Sequence, residues 1–209
     1  MKKVTYFLSL IAVFVVVTAF TSEKSMTPIE LGAEIPMATA EMTDVISDNA
    51  TTIEKAKGEK GTLVFFSCNT CPYVVSNESR ILDVLKEASE ARIGSIIINS
   101  NEAKRGDEDS YEAMKTYGKT QGFYNYSCPY VIDQKSIVAD AFGATRTPEC
   151  FLFNAEGKLV YRGAIDDNPK DMSAVKETFL SNAIKSLAKN EEIAVKTTKS
   201  VGCSIKRVQ

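Results

Sequence analysis

The stretch Thr62-Leu63-Val64-Phe65-Phe66-Ser67-Cys68-Asn69-Thr70-Cys71-Pro72-Tyr73-Val74 decides the fold. Thr62 to Phe66 is a compact β-branched and aromatic run of strand length, the pattern of a strand buried on both faces. Beyond Pro72, Val74, Ile81, Leu85 and Ala88 recur at helical spacing and predict a helix from Tyr73 to Ala88. Ile93 to Asn99 is a second strand of the same type, so the first unit is strand, helix, parallel strand.

Working outward, a helix is expected at Asp107 to Gln121, a short strand at Tyr130 to Asp133, and a short helix through Ile137, Val138, Ala141 and Phe142 that Gly143 stops. Cys150–Asn154 and Lys158–Arg162 flank the turn Ala155-Glu156-Gly157 and predict an antiparallel hairpin. Met172, Val175, Phe179, Ala183 and Leu187 then mark a last helix of about 17 residues. The order is βαβ followed by ββα: an α/β fold with a central mixed sheet flanked by helices. Thr39 to Lys57 is read as an edge hairpin or loop, and the residues after Asn190 as a polar tail whose Lys196, Lys199, Lys206 and Arg207 are solvated.

Lys2 and Lys3 precede an apolar run from Tyr6 to Phe20, with small residues near Val17, Ala19 and Thr21. This is the pattern of a secretory signal peptide, and the run of about 15 residues is short of the roughly 20 that span hydrocarbon. The expected organisation is a signal peptide at 1–22, one domain at 28–189 and a tail at 190–209. Export to the periplasm or beyond follows, with no stable membrane span in the mature form; an uncleaved signal acting as an anchor is the rival reading.

With 209 residues, 44% hydrophobic and 25% charged, and a formal net charge of −2, the chain has no basic excess to attract nucleic acid. It contains no histidine, which excludes a Ser-His-Asp triad, a Cys-His pair and a histidine metal site. Chemistry is left to cysteines, carboxylates, lysines and hydroxyls. Cys68 and Cys71 fall where the first core strand hands over to the first helix, and a cysteine facing free N–H groups at a helix start is favoured as thiolate. Cys68 is therefore the candidate nucleophile and Cys71 the candidate resolving thiol, close enough in sequence to attack a mixed disulfide on Cys68. Pro72 suits the first turn, where an N–H has no intrahelical acceptor to lose. A zinc site needs further soft ligands at matching spacing, whereas Cys128, Cys150 and Cys203 are scattered singly; no metal and no cofactor are expected.

These residues resemble the thioredoxin-like superfamily, in its exported branch related to the alkyl hydroperoxide reductase and thiol-specific antioxidant group. The resemblance rests on Phe65-Phe66-Ser67-Cys68-Asn69-Thr70-Cys71-Pro72-Tyr73-Val74, on Gly143-Ala144-Thr145-Arg146-Thr147-Pro148, and on Phe151-Leu152-Phe153-Asn154 followed by Gly157-Lys158. It covers about Glu30 to Leu187 and implies a thioredoxin-like fold. It also implies a cis proline at Pro148 facing the cysteine pair, with Thr147 and Pro148 beside Cys68 binding an extended substrate. Two features depart from the family pattern. Ser67 stands where a tryptophan is usual, and no acid lies between Gly61 and Ser67, so the proton acceptor for Cys71 is unassigned and Glu149 is read as a surface residue. The peroxidase signature Pro-x-x-x-Thr-x-x-Cys is matched by neither cysteine, since the residues seven and three before Cys68 are Gly61 and Phe65, and those before Cys71 are Val64 and Cys68.

The leading expectation is a thiol-disulfide oxidoreductase exchanging disulfides with protein dithiol or disulfide substrates and an unidentified electron donor or acceptor. A peroxiredoxin-like peroxidase is the alternative, and a non-catalytic thioredoxin-like binding module the second alternative. Cys150 and Cys128 read as buried small hydrophobes. Cys203, in Val201-Gly202-Cys203-Ser204-Ile205, is a candidate accessory or resolving thiol. Asp166-Asp167 lacks the ligand spacing of a calcium loop and reads as a turn before the last helix.

Overall fold

The computed structural model describes residues 26–208. The expected signal peptide, residues 1–22, lies outside them. The core is β3 (Gly61–Ser67), buried at every position, with parallel β4 (Ile93–Asn99) on one side and antiparallel β7 (Glu149–Asn154) on the other. Beyond β4 lies parallel β5 (Tyr130–Ile132), then antiparallel β1 (Met42–Asp44) and β2 (Ala50–Thr51), an edge hairpin; beyond β7 lies β8 (Leu159–Gly163). The seven strands run in the order β2-β1-β5-β4-β3-β7-β8, the mixed sheet of an α/β fold.

Period-two alternation sends the sheet's side chains to two cores. Leu63, Phe65, Ile93 and Ile97 meet Ile81, Val84, Leu85 and Ala88 of α2 (Glu78–Glu90) and Leu180, Ala183 and Ile184 of α5 (Phe179–Ala188). Val64, Phe66, Ile96 and Ile98 meet Val138, Ala139 and Phe142 of α4 (Ile137–Phe142), where Phe142 packs edge-on against Phe66, Phe151 and Phe153. Gly143 closes α4 in the left-handed conformation, as its sequence position suggested. Among the described residues no helix is long and apolar enough to cross a membrane.

Two helices differ from the pattern. The helix expected over 73–88 is split into α1 (Pro72–Val75) and α2, because buried Asn77 turns its amide back to the Tyr73 carbonyl at 2.6 Å and across to the Pro169 carbonyl at 2.8 Å. That side chain takes the place of a helical N–H bond. The last helix is likewise shorter than expected. Met172–Ala174 forms a separate 3₁₀ turn, and the Asp167 carboxylate accepts from the N–H groups of Lys176 and Glu177, so the chain there bonds to the preceding loop rather than to itself. The helix expected from Asp107 begins at Tyr111 as α3 (Tyr111–Gln121), capped by Ser110.

The tail is a correction of another kind. Its Lys196, Lys199 and Lys206 are exposed as expected, but the tail lies along the domain, with Ile193 and Ile205 buried and Thr198 bonded to β8. Its residues Cys203–Ser204 form β9, antiparallel to β6 (Arg146–Thr147). Arg207 departs from the expected solvated face, donating to Asp140 at 2.8 Å and to the Ala144 carbonyl at 2.7 Å.

Candidate active site

β3 ends at Ser67, and the next residues turn Cys68, Asn69 and Thr70 across the carboxyl end of the sheet. Cys71 is the N-cap of α1, its carbonyl accepting from Val74 and Val75, with Pro72 at the first helical position. Opposite stands the Thr147–Pro148 peptide, which is cis. Cys68 Sγ lies 3.4 Å from Thr147 Oγ1, and Cys71 Sγ 3.2 Å from the Thr147 carbonyl oxygen. Cys71 is disulfide-bonded to Cys203, whose strand pairs with β6 so that Cys203 faces Thr147 directly. The fold therefore gathers Cys68, Cys71, Thr147, Pro148 and Cys203 into one place, although the last is 132 residues beyond Cys71.

The surroundings change the electrostatic expectation for Cys68. It is 2% exposed, and burial pushes its thiol above the usual cysteine range; the Asp109 carboxylate pushes the same way, against the Thr147 hydroxyl and the N–H groups of Cys71 and Thr70. The helix-start contribution is present but small, because α1 is a single turn of four residues. With the tail in place, Cys68 is held as a thiol. Cys128 and Cys150 are also buried, which raises both thiols and keeps them inert.

Asp109 is the residue that sequence reading missed. It comes from the segment before α3 and is fully buried, accepting from the Asn69 N–H at 2.9 Å, Asn99 Nδ2 at 2.8 Å and Asn101 Nδ2 at 2.8 Å. Asn69 is further held by the Tyr130 hydroxyl, which donates to its Oδ1 at 2.8 Å, and by its own amide donating to the Glu108 carbonyl. The loop between the two cysteines is thus pinned by a satisfied polar network rather than left mobile. A buried acid does lie close to the pair, but it arrives from another element. Within Asp107-Glu108-Asp109 nothing in the sequence marks which carboxylate turns inward.

Glu149 also departs from expectation. It is 6% exposed and accepts from the N–H groups of Thr145 at 2.8 Å and Arg146 at 3.1 Å, bracing the turn that leads into Pro148. Burial raises its carboxyl above the ordinary range, and those two N–H bonds oppose the rise. Asp166 and Asp167 each have partners within the chain: Asp166 pairs with the buried Arg80, and Asp167 holds the Lys176–Glu177 backbone.

The family model described as Redoxin matches residues 30–179. Among solved structures, an uncharacterized conserved protein from Geobacillus kaustophilus is 32% identical with a TM-score of 0.77, the match covering 86% of this chain and 93% of that one. A hypothetical protein from Sinorhizobium meliloti 1021 is 29% identical with a TM-score of 0.75, covering 87% and 97%. A thioredoxin-like protein solved in the oxidized form, 16% identical with a TM-score of 0.58 over 78% and 100%, shares the fold. No curated protein matches the chain significantly.

Proposed function

Because the chain belongs to the Redoxin family and is a thioredoxin-like redox protein, we propose that it is an exported thiol-disulfide oxidoreductase that exchanges disulfides with protein substrates through Cys68 and Cys71. The observation that carries this reading is the β6 edge. Beside both cysteines, the backbone before Pro148 pairs with an extended strand that bears a cysteine, which is the geometry a protein substrate needs.

In the reducing direction, the Cys68 thiolate attacks one sulfur of a substrate disulfide, and the other substrate sulfur leaves as a thiolate and takes a proton. The Cys71 thiolate then attacks Cys68 Sγ, releasing the second substrate thiol and leaving a Cys68–Cys71 disulfide. The substrate gains two electrons and the protein loses two, so a thiol donor must restore the pair. Thr147 and Pro148 supply the docking edge, and the network around Asn69 and Asp109 holds the attacking loop in register. Export rests on Lys2, Lys3 and the apolar run that follows, and fits a chemistry used where disulfides persist.

Insulin disulfide reduction and hydrogen peroxide consumption, each with the wild type and Cys68→Ser, test the reading. Insulin reduction that disappears in Cys68→Ser, with little peroxide turnover, is the expected result. Peroxide consumption that depends on Cys68 without insulin reduction would replace disulfide exchange by peroxidase chemistry. In a companion experiment, Cys71→Ser should accumulate a mixed disulfide with its substrate, while Cys68→Ser should form none on non-reducing gels. Intact mass of the exported protein should place its amino terminus between Phe20 and Ser25; retention of Met1 would overturn cleavage.

A further inference from the structure

The strand on the docking edge belongs to the chain itself. β9 occupies β6 with Cys203 opposite Thr147, and bonds other than the disulfide hold the tail there. Ile205 is buried in the core cluster of Phe66 and Phe142, and its N–H donates to the Thr145 carbonyl at 3.1 Å. Lys206 N–H donates to Asn101 Oδ1 at 2.9 Å, and its carbonyl accepts from Ala103. Arg207 reaches Asp140 and Ala144. Gly202 passes so close to the Thr147 carbonyl that a Cβ there would collide with backbone. The tail is shaped to bring one particular cysteine to one particular sulfur.

Building on the disulfide-exchange reading, we propose that Cys203 is a third redox thiol of this centre, which takes over the disulfide from the Cys68–Cys71 pair and covers the docking edge while it holds it. The Cys203 thiolate attacks Cys71 Sγ of the Cys68–Cys71 disulfide. The Cys71–Cys203 bond forms, the Cys68–Cys71 bond breaks, and Cys68 leaves as a thiolate that takes up a proton. One disulfide and one thiol exist before and after, so no electrons enter or leave. The product is the arrangement described here: Cys71 bonded to Cys203, Cys68 reduced and buried, and β6 paired.

This closed form cannot accept a second substrate strand, because the edge carries one already. Burial also holds Cys68 as the unreactive thiol. Reopening follows attack by an external dithiol on Cys203, the partly exposed end of the bond, which releases Cys71 as a thiolate; the second thiol of that reductant then frees Cys203. The reductant loses two electrons and the protein regains its three thiols.

Peptide mapping of the full-length chain tests this directly, after oxidation with diamide and blocking of free thiols with N-ethylmaleimide before digestion. Wild type should yield the Cys71–Cys203 link, with Cys68 labelled only after denaturation. Cys203→Ser should yield Cys68–Cys71 instead. Gly202→Ala keeps every cysteine but displaces the tail, so it should shift the link toward Cys68–Cys71. Cys68 should be labelled in native, fully reduced wild type at least about tenfold faster than in native wild type holding the Cys71–Cys203 bond. Should Gly202→Ala fail to fold, the Cys203→Ser comparison decides alone. A wild-type map holding only Cys68–Cys71, with Cys203 readily labelled, would overturn the proposal. Failure of the disulfide-exchange reading is separately visible: it would leave the Cys71–Cys203 link in place while insulin reduction is absent from both wild type and Cys203→Ser.

Discussion

Asp109 and Cys68 oppose each other electrostatically, since the carboxylate anchors the loop that carries the thiol and also disfavours its ionisation. Asp109→Asn keeps an acceptor for the Asn69 N–H and removes the charge. In a Cys71→Ser, Cys203→Ser background, where Cys68 is the accessible thiol, the pH midpoint of its alkylation should move down; an unchanged or higher midpoint would show that anchoring outweighs the charge. Glu149 gives a second test, with its own sign. Its carboxyl is raised in the folded protein, so the native state holds a proton that the unfolded chain has already lost in the interval between the two values. Stability is therefore fully present below the ordinary glutamate value of about 4.3 and falls as pH rises through the folded value. Glu149→Gln should flatten that part of a plot of urea midpoint against pH, leaving the slope of like sign from Asp133, whose carboxyl is also raised by burial. At this scale the sequence was informative about which residues the fold gathers at the candidate site and poor about their supports. Cys68, Cys71, Thr147 and Pro148 belong to local motifs, whereas Asp109, Asn99 and Tyr130 meet only after β4 and β5 are side by side.

Among the elements, strand placement was largely legible because β3, β4 and β7 are runs of apolar residues bounded by turn signals. Helix lengths were not, because Asn77 and Asp167 end or delay helices by bonding to backbone whose position is set by the fold. The same junction contains the buried pair Arg80–Asp166, which ties α2 to the loop after β8, with Arg80 also donating to the Asn168 carbonyl at 2.8 Å. Arg80→Ala leaves Asp166 buried without its cation and should cost about 3–5 kcal/mol in urea unfolding. Replacing both residues, as Arg80→Met with Asp166→Leu, should recover most of that loss. Equal destabilisation by the single and double variants would mean that the arginine acts through its carbonyl contacts instead.

For the whole molecule, the Cys71–Cys203 bond closes a loop spanning 132 residues that contains β4, β5, β7 and β8, while β1, β2 and β3 precede it. Loop-closure entropy puts the upper limit of its stabilisation at about 5 kcal/mol, with about 2–4 kcal/mol typical. Adding dithiothreitol should lower the urea midpoint of wild type accordingly, while Cys203→Ser, limited to the small Cys68–Cys71 ring, should respond much less. An identical response in both proteins would place the stabilising bond elsewhere. The docking of the tail was not legible because its anchors are spread over Asp140, Asn101 and β8, none of them near it in sequence. That separation also has a consequence in time. A ribosome delivers Cys68 and Cys71 long before Cys203, with the remaining strands of the sheet still to be made. A newly emerging chain therefore has its cysteine pair uncovered by β9. The first disulfide it can form there is Cys68–Cys71, and the covered arrangement becomes accessible only once the final strand has been made.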